Sequence, residues 1–208
     1  MSNLIPLSKK DLMSIEDDIV KKQTSNNNTL FFIDLSGSMG ERITSTNKKK
    51  IDEVQEIVEQ MNIKKYRIMG FAGGAGLLSE SPYDEDTANI RQVFYHNRFG
   101  YSTYMHEAFQ CAIDKNIECD TVVIISDGMT EMPEQVIKNA LRYNKPVEII
   151  FIGDSDDIDG ADFMKKLSKE TGGTATVIST DDPEFSQKFL NKVETLLLGS
   201  GPAGTINL

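Results

Sequence analysis

The chain has 208 residues, of which 39% are hydrophobic, and a formal charge of −10. That length suits one α/β domain with short additions, and the apolar share supports a real core and argues against global disorder. The acidic balance argues against nucleic acid or an anionic membrane as the main partner, because both require a cationic face.

Residues 1–29 read as an N-terminal amphipathic helix followed by a polar linker. The helix is expected over 8–22, where Ser8 and Asp11 have capping-box spacing and Leu12, Ile15 and Ile19 share a face. "TSNNNT" supplies the linker. This region lacks the uninterrupted apolar segment of a secretory signal, and no run in the chain approaches the ~20 apolar residues of a membrane span. Cys111 and Cys119 form neither a disulfide framework nor a zinc pattern, so a reducing cytoplasm is the expected compartment.

Residues 30–198 alternate between strand-like and helix-like runs. "LFFID" is the first strand. "KKKIDEVQEIVEQMN" follows as a helix with Ile51, Val54, Ile57, Val58 and Met61 on one face. "NKKK" at 47–50 is the only basic cluster, and its expected role is to solvate the start of that helix. "YRIMGFA" is the second strand, leaving through the loose "GGAG". "IRQVFYH" alternates apolar and polar residues, as an edge strand does. "TYMHEAFQCAID" is helical, with Tyr104, Ala108, Cys111 and Ala112 at matching spacing.

"TVVIISDG" is a continuous apolar strand, the pattern of the buried middle of a parallel sheet. "EMPEQVIKNALRYN" begins a helix near Pro133, and "VEIIFIG" is the fifth strand. "ADFMKKLSKETGG" is a helix closed by Gly172 and Gly173, "TATVIS" the sixth strand, and "DPEFSQKFLNKVETLLL" a last helix capped by Asp181 or Asp182. Residues 199–208 read as a flexible tail. The alternation predicts a mainly parallel, six-stranded sheet with one antiparallel edge strand and helices on both faces.

In such a sheet, ligands bind outside the carboxyl ends of the strands. Three polar clusters fall there. Asp34-x-Ser36-x-Ser38 follows strand one, Thr103 starts a helix, and Asp127 follows strand four. If strands one and four are neighbours, Asp34 and Asp127 lie side by side and repel. A cation between them relieves that, and hard oxygen donors suit Mg²⁺, Mn²⁺ or Ca²⁺ rather than zinc.

Asp-x-Ser-x-Ser, then Thr103 with Ala108 five positions later, then Asp-Gly after an apolar strand, resembles the von Willebrand factor A-type domain (vWA). The order and separation match its metal-ion-dependent adhesion site (MIDAS), and "MKKLSKETGGTATVIS" resembles the family's late helix and final strand. The resemblance covers roughly residues 30–198 and implies a three-layer, Rossmann-like fold. It implies Ser36, Ser38 and Thr103 as hydroxyl ligands, with Asp34 and Asp127 binding the metal directly or through water. One departure is visible: the family often has Gly-Gly-Thr where this chain has Tyr101-Ser102-Thr103. Neutral hydroxyl ligands would leave the cation part of its charge and a water-filled position, which an Asp or Glu of a partner protein could take. The implied role is a non-enzymatic adaptor in an intracellular multi-protein assembly, such as one with an AAA+ ATPase or of the tellurite-resistance type, with no expectation for oligomeric state.

Other readings of these residues are weaker. Ser38 does not sit in Gly-x-Ser-x-Gly, and a nucleophile would need His96 or His106 beside it. Asp34 lacks the second aspartate of an Asp-x-Asp phosphoryl acceptor, because that position is Ser36. A Mg²⁺-dependent hydrolase or phosphotransferase in the same pocket, and an assembly protein with a metal-free site, stand as alternatives. In "DSDDIDGAD", aligning Gly160 with the invariant glycine of a calcium loop puts Lys166 where Glu belongs, so an acidic loop capping the next helix is expected. "GFAGGAG" does not fit a phosphate-binding loop.

Overall fold

A computed structural model of the chain describes residues 28–60, 67–77, 102–153 and 157–198. The expected N-terminal helix, the strand at 90–96 and the tail lie outside the described residues.

Strand β1 (Thr29–Asp34) leads through a short 3₁₀ turn (Gly37–Gly40) into helix α1 (Lys50–Gln60). Strands β2 (Arg67–Phe71) and β3 (Ala75–Leu77) follow, then α2 (Met105–Asp114), β4 (Thr121–Ser126) and α3 (Pro133–Tyr143). The chain continues through β5 (Val147–Ile152), α4 (Ile158–Thr171), β6 (Ala175–Ile178) and α5 (Phe185–Leu198). The six strands form one sheet in the order β3-β2-β1-β4-β5-β6, parallel except for β3 against β2.

The antiparallel edge is therefore built from residues the sequence marked as a loose exit. The backbone reverses after β2, and Ala72 N–H donates to the Gly74 carbonyl at 2.8 Å in the turn. Met69, Gly70 and Phe71 then pair with Leu77, Gly76 and Ala75.

Strand alternation divides the core in two. Leu30, Phe32, Met69, Phe71, Ile124 and Phe151 point to the layer of α2, α3 and α4. Phe31, Ile33, Ile68, Val123, Ile125 and Ile150 point to the layer of α1 and α5. This is a three-layer α/β fold, and the central strands are apolar on both sides because both sides are covered. In α1 the expected face has Val54, Ile57 and Val58 buried and Ile51 at its margin, while Met61 lies outside the described residues. In α2 the buried face is Met105, Ala108, Phe109 and Ala112, and Cys111 is only half-buried. Tyr104, expected on that face, instead sits at the helix N-cap.

Local chemistry ends these helices. Pro133 occupies the first turn of α3, and Asn144 closes it in the left-handed region at φ 58°. The acidic segment before α4 caps as expected, with Asp157 accepting from Gly160 N–H at 3.1 Å, but the helix already begins at Ile158. Asp182 accepts from Glu184 N–H at 2.9 Å ahead of α5. Among the described residues, no helix is long and apolar enough to cross a membrane.

Gly172, at φ 82°, makes the left-handed turn out of α4, and Gly173 then passes hard against β5. A Cβ on Gly173 would stand 2.2 Å from the Val147 carbonyl oxygen. Gly173→Ala is expected to lower stability by about 1–3 kcal/mol, because the entry to β6 must move away from β5. Urea denaturation measures this, and an unchanged midpoint would contradict the close approach.

Candidate functional site

Strands β1 and β4 are hydrogen-bonded neighbours, with Ile33 opposite Ile125. Their carboxyl ends therefore place Asp34 beside the loop that carries Asp127. Both carboxylates are buried. A buried carboxylate must have its lone pairs occupied, and the strand-end loops supply the donors. Asp34 Oδ1 accepts from Ser36 N–H at 2.8 Å, and Oδ2 accepts from Ser126 Oγ at 2.6 Å. Burial pushes the Asp34 carboxyl up to about 6. The Ser126 and Ser36 hydrogen bonds oppose that rise, and the charge of Asp127 adds to it.

The serines continue the chain of contacts. Ser36 Oγ and Ser38 Oγ are 3.1 Å apart, and Ser38 Oγ donates to Asp127 Oδ1 at 2.8 Å. The 3₁₀ turn at Gly37–Gly40 makes this possible, because it folds Ser38 back over the strand end. Thus four of the five residues singled out in the sequence form one hydrogen-bonded cluster.

The fifth, Thr103, is tied to the same loop region through its backbone. Its N–H donates to both Glu131 carboxylate oxygens at 2.9 and 2.8 Å, and its carbonyl accepts from Thr130 Oγ1 at 2.7 Å. The next residue, Tyr104, donates its N–H to the Ala72 carbonyl at 2.7 Å, so the β2 exit anchors this loop as well. Glu131 and Thr130 thus hold the Thr103 backbone in place.

The other oxygen of Asp127 accepts from Lys50. The Nζ–Oδ2 distance is 2.7 Å, and the Lys50 side chain is only 10% exposed. Lys50 Nζ also lies 3.2 Å from Glu41 Oε2. Burial disfavours the ammonium, but hydrogen bonds and charge from Asp127 and Glu41 outweigh it and hold its pKa above the ordinary range. This corrects the reading of the lysine cluster as a solvated helix start. Lys49 does face solvent, and Lys48 pairs with Glu53 and Glu56, but Lys50 turns inward. The cause is the need of Asp127 for a positive charge. The available signal was a lysine at the first turn of the helix that leaves the Asp-x-Ser-x-Ser loop. Ser126 was also missed, because it ends an apolar run and looks like the beginning of a turn.

His106 does not join the serines. Its Nε2 lies 3.4 Å from Glu107 Oε1, its ring packs beside Tyr104, and its buried Nδ1 has no hydrogen-bond partner. Ser38 is hydrogen-bonded to a carboxylate rather than to an imidazole. Among the described residues, no three His, Cys, Asp or Glu side chains gather as a metal group. The oxygen cluster is a mixed set of two carboxylates and two hydroxyls.

No family model matches the chain. It is 23% identical over 191 residues to the DNA replication and repair protein RecF of Clostridium perfringens, a match covering 77% of this chain. The chain spans about half, 52%, of the length of that relative. Among solved structures, the PilB minor pilin from Streptococcus sanguinis superposes with a TM-score of 0.60 at 12% identity, covering 86% of this chain and 64% of the pilin. BatB from Bacteroides thetaiotaomicron superposes with a TM-score of 0.55 at 13% identity, covering 81% of this chain and 98% of BatB. An aerotolerance-related membrane protein from Bacteroides fragilis gives a TM-score of 0.52 at 14% identity, covering 79% and 96%. At such identities the likeness shows the fold alone, a mostly parallel α/β sheet with one antiparallel edge strand and helices on both faces.

Proposed function

We propose that this chain is a protein-binding domain. In this reading a divalent cation held at Asp34, Ser36, Ser38, Thr103 and Asp127 bridges to an acidic side chain of a partner protein. The observation that carries this is the cluster at the β1 and β4 ends, where two buried carboxylates converge with two serine hydroxyls. The donor set fits a hard cation. It is made of oxygen alone, and its negative charge already draws in one buried ammonium. When bound, the cation supplies a positive charge that an incoming carboxylate can neutralise. The chain's own residues orient the donors: Ser126 and Ser36 N–H fix Asp34, Ser38 fixes Asp127, and Glu131 fixes the Thr103 backbone. An Mg²⁺, Mn²⁺ or Ca²⁺ ion suits this set. The role of adaptor in an intracellular assembly, including one built around an AAA+ ATPase or of the tellurite-resistance type, belongs to the same proposal and rests on the family resemblance.

Calorimetric titration of Mg²⁺ and Mn²⁺ into the full chain tests the ligand assignment. Loss of an outer-shell group costs metal sites about 10–100-fold in affinity, and loss of the Asp127 ligand is expected to cost at least that. Normal metal affinity in a folded Asp127→Ala variant would remove Asp127 from the site. Partner capture with and without EDTA then tests bridging, and capture that ignores EDTA contradicts it.

A further inference from the structure

We infer that Lys50 is a tethered cation that competes with the divalent ion for Asp127, and that Glu41 receives it when the metal binds. The inference rests on the metal-bridging reading and adds regulation to it.

The geometry carries each step. Asp127 has two oxygens, one committed to Ser38 and the other to Lys50. A divalent ion drawing on Asp127 would therefore lie beside the ammonium, and two like charges in a buried pocket repel. The ammonium has somewhere to go. Glu41 Oε2 is already 3.2 Å away, and the Glu41 side chain is 70% exposed, so Lys50 paired with it alone can regain water. The backbone keeps the two residues together in either state, because Lys50 N–H donates to the Glu41 carbonyl at 3.0 Å. A four-carbon stem lets the charge move with little rearrangement of the backbone. Lys48 and Lys49 offer no substitute, because one is engaged with Glu53 and Glu56 and the other faces solvent. Without metal, Lys50 offsets one buried carboxylate and links Asp127 to Glu41. With metal, it neutralises Glu41 at the rim and so removes a negative charge that would repel an acidic partner.

Mn²⁺ calorimetry and thermal melts of the full-length wild type, Lys50→Met and Glu41→Gln decide the point. Lys50→Met is expected to bind Mn²⁺ at least about tenfold more tightly than wild type, because a competing buried charge is gone. Its metal-free melting temperature should fall, and Mn²⁺ should raise it by more than in wild type. Glu41→Gln should bind Mn²⁺ more weakly than wild type. Equal Mn²⁺ affinity in wild type and Lys50→Met overturns the competition and leaves the metal reading standing. No Mn²⁺ binding by either folded protein overturns both. Binding by Lys50→Met alone supports the competition and overturns metal bridging in the native chain. Should Lys50→Met fail to fold, lysine side-chain NMR of wild type during a Mg²⁺ titration gives the same decision. The Lys50 Cε signal should shift as the site fills, and a static signal at saturating metal overturns the inference.

Discussion

Phe32→Ala is expected to lower the stability of the fold by about 3–5 kcal/mol, among the larger effects a single substitution can have. Phe32 is completely buried on β1, two residues before Asp34. Its ring meets that of Phe109 on α2 edge-on, with centroids 5.0 Å apart. That contact joins the strand that ends in the Asp-x-Ser-x-Ser loop to the helix that follows Thr103. The truncation therefore removes buried apolar surface and also loosens the spacing between two of the three site loops. Urea denaturation measures the first effect. For the second, under the metal-bridging proposal, metal affinity in the folded fraction should also fall. A stability loss below about 1 kcal/mol would mean that the core closes over the gap, and Phe32 would lose its assigned role.

The second large effect belongs to Asp34 and depends on pH. Burial raises its carboxyl from the ordinary 3.8 to about 6, so the folded chain holds this proton more tightly than the unfolded chain does. Its stabilising contribution is complete below 3.8 and is lost as pH rises through about 6. The full difference amounts to about 3 kcal/mol, since each pH unit between the two values is worth about 1.4 kcal/mol. Asp34→Asn keeps the acceptor for Ser36 N–H, can meet the Ser126 hydroxyl with its amide, and does not titrate. In metal-free buffer with EDTA, the variant should match wild type near about pH 4 and exceed it by about 3 kcal/mol above about pH 7. Denaturant midpoints at several pH values give the comparison, and a difference that stays flat with pH would refute it. Under the metal-bridging proposal, saturating Mg²⁺ at neutral pH should reverse the ranking, because the cation favours the ionised carboxylate.

The sequence already showed most of this architecture, for physical reasons that differ by element. The run at 122–125 is apolar throughout because β4 is covered on both sides, and such a run is hard to mistake. The convergence of Asp34 with Ser36, Ser38 and Asp127 was readable because residue types and chain order carried it, with only the adjacency of β1 and β4 left conditional. An antiparallel edge strand was expected, but its place at Ala75–Leu77 was not readable. Ala75–Leu77 is only three residues long, too short for a period to appear, and its glycines look like a loop. Lys50 escaped for another reason. Among three adjacent lysines, only tertiary contact with a carboxylate 77 positions away selects the one that is buried. The hydrogen bonds between Thr103 and Glu131 span 28 positions and likewise have no local signature.

The separation between the site's halves also bears on how the protein folds. Ser126 reaches Asp34 across 92 positions, and Ser38 reaches Asp127 across 89. Pairing β1 with β4 closes a long loop before any contact rewards it, and sheets built on such distant pairing fold slowly. During synthesis, a nascent chain that has emerged only as far as α2 holds the Asp-x-Ser-x-Ser loop without the carboxylate or the strand edge that complete it. The hydrogen-bonded cluster of Asp34, Ser36, Ser38 and Asp127 is therefore assembled together with the global folding step. A fragment ending before β4 has no means of holding the site together.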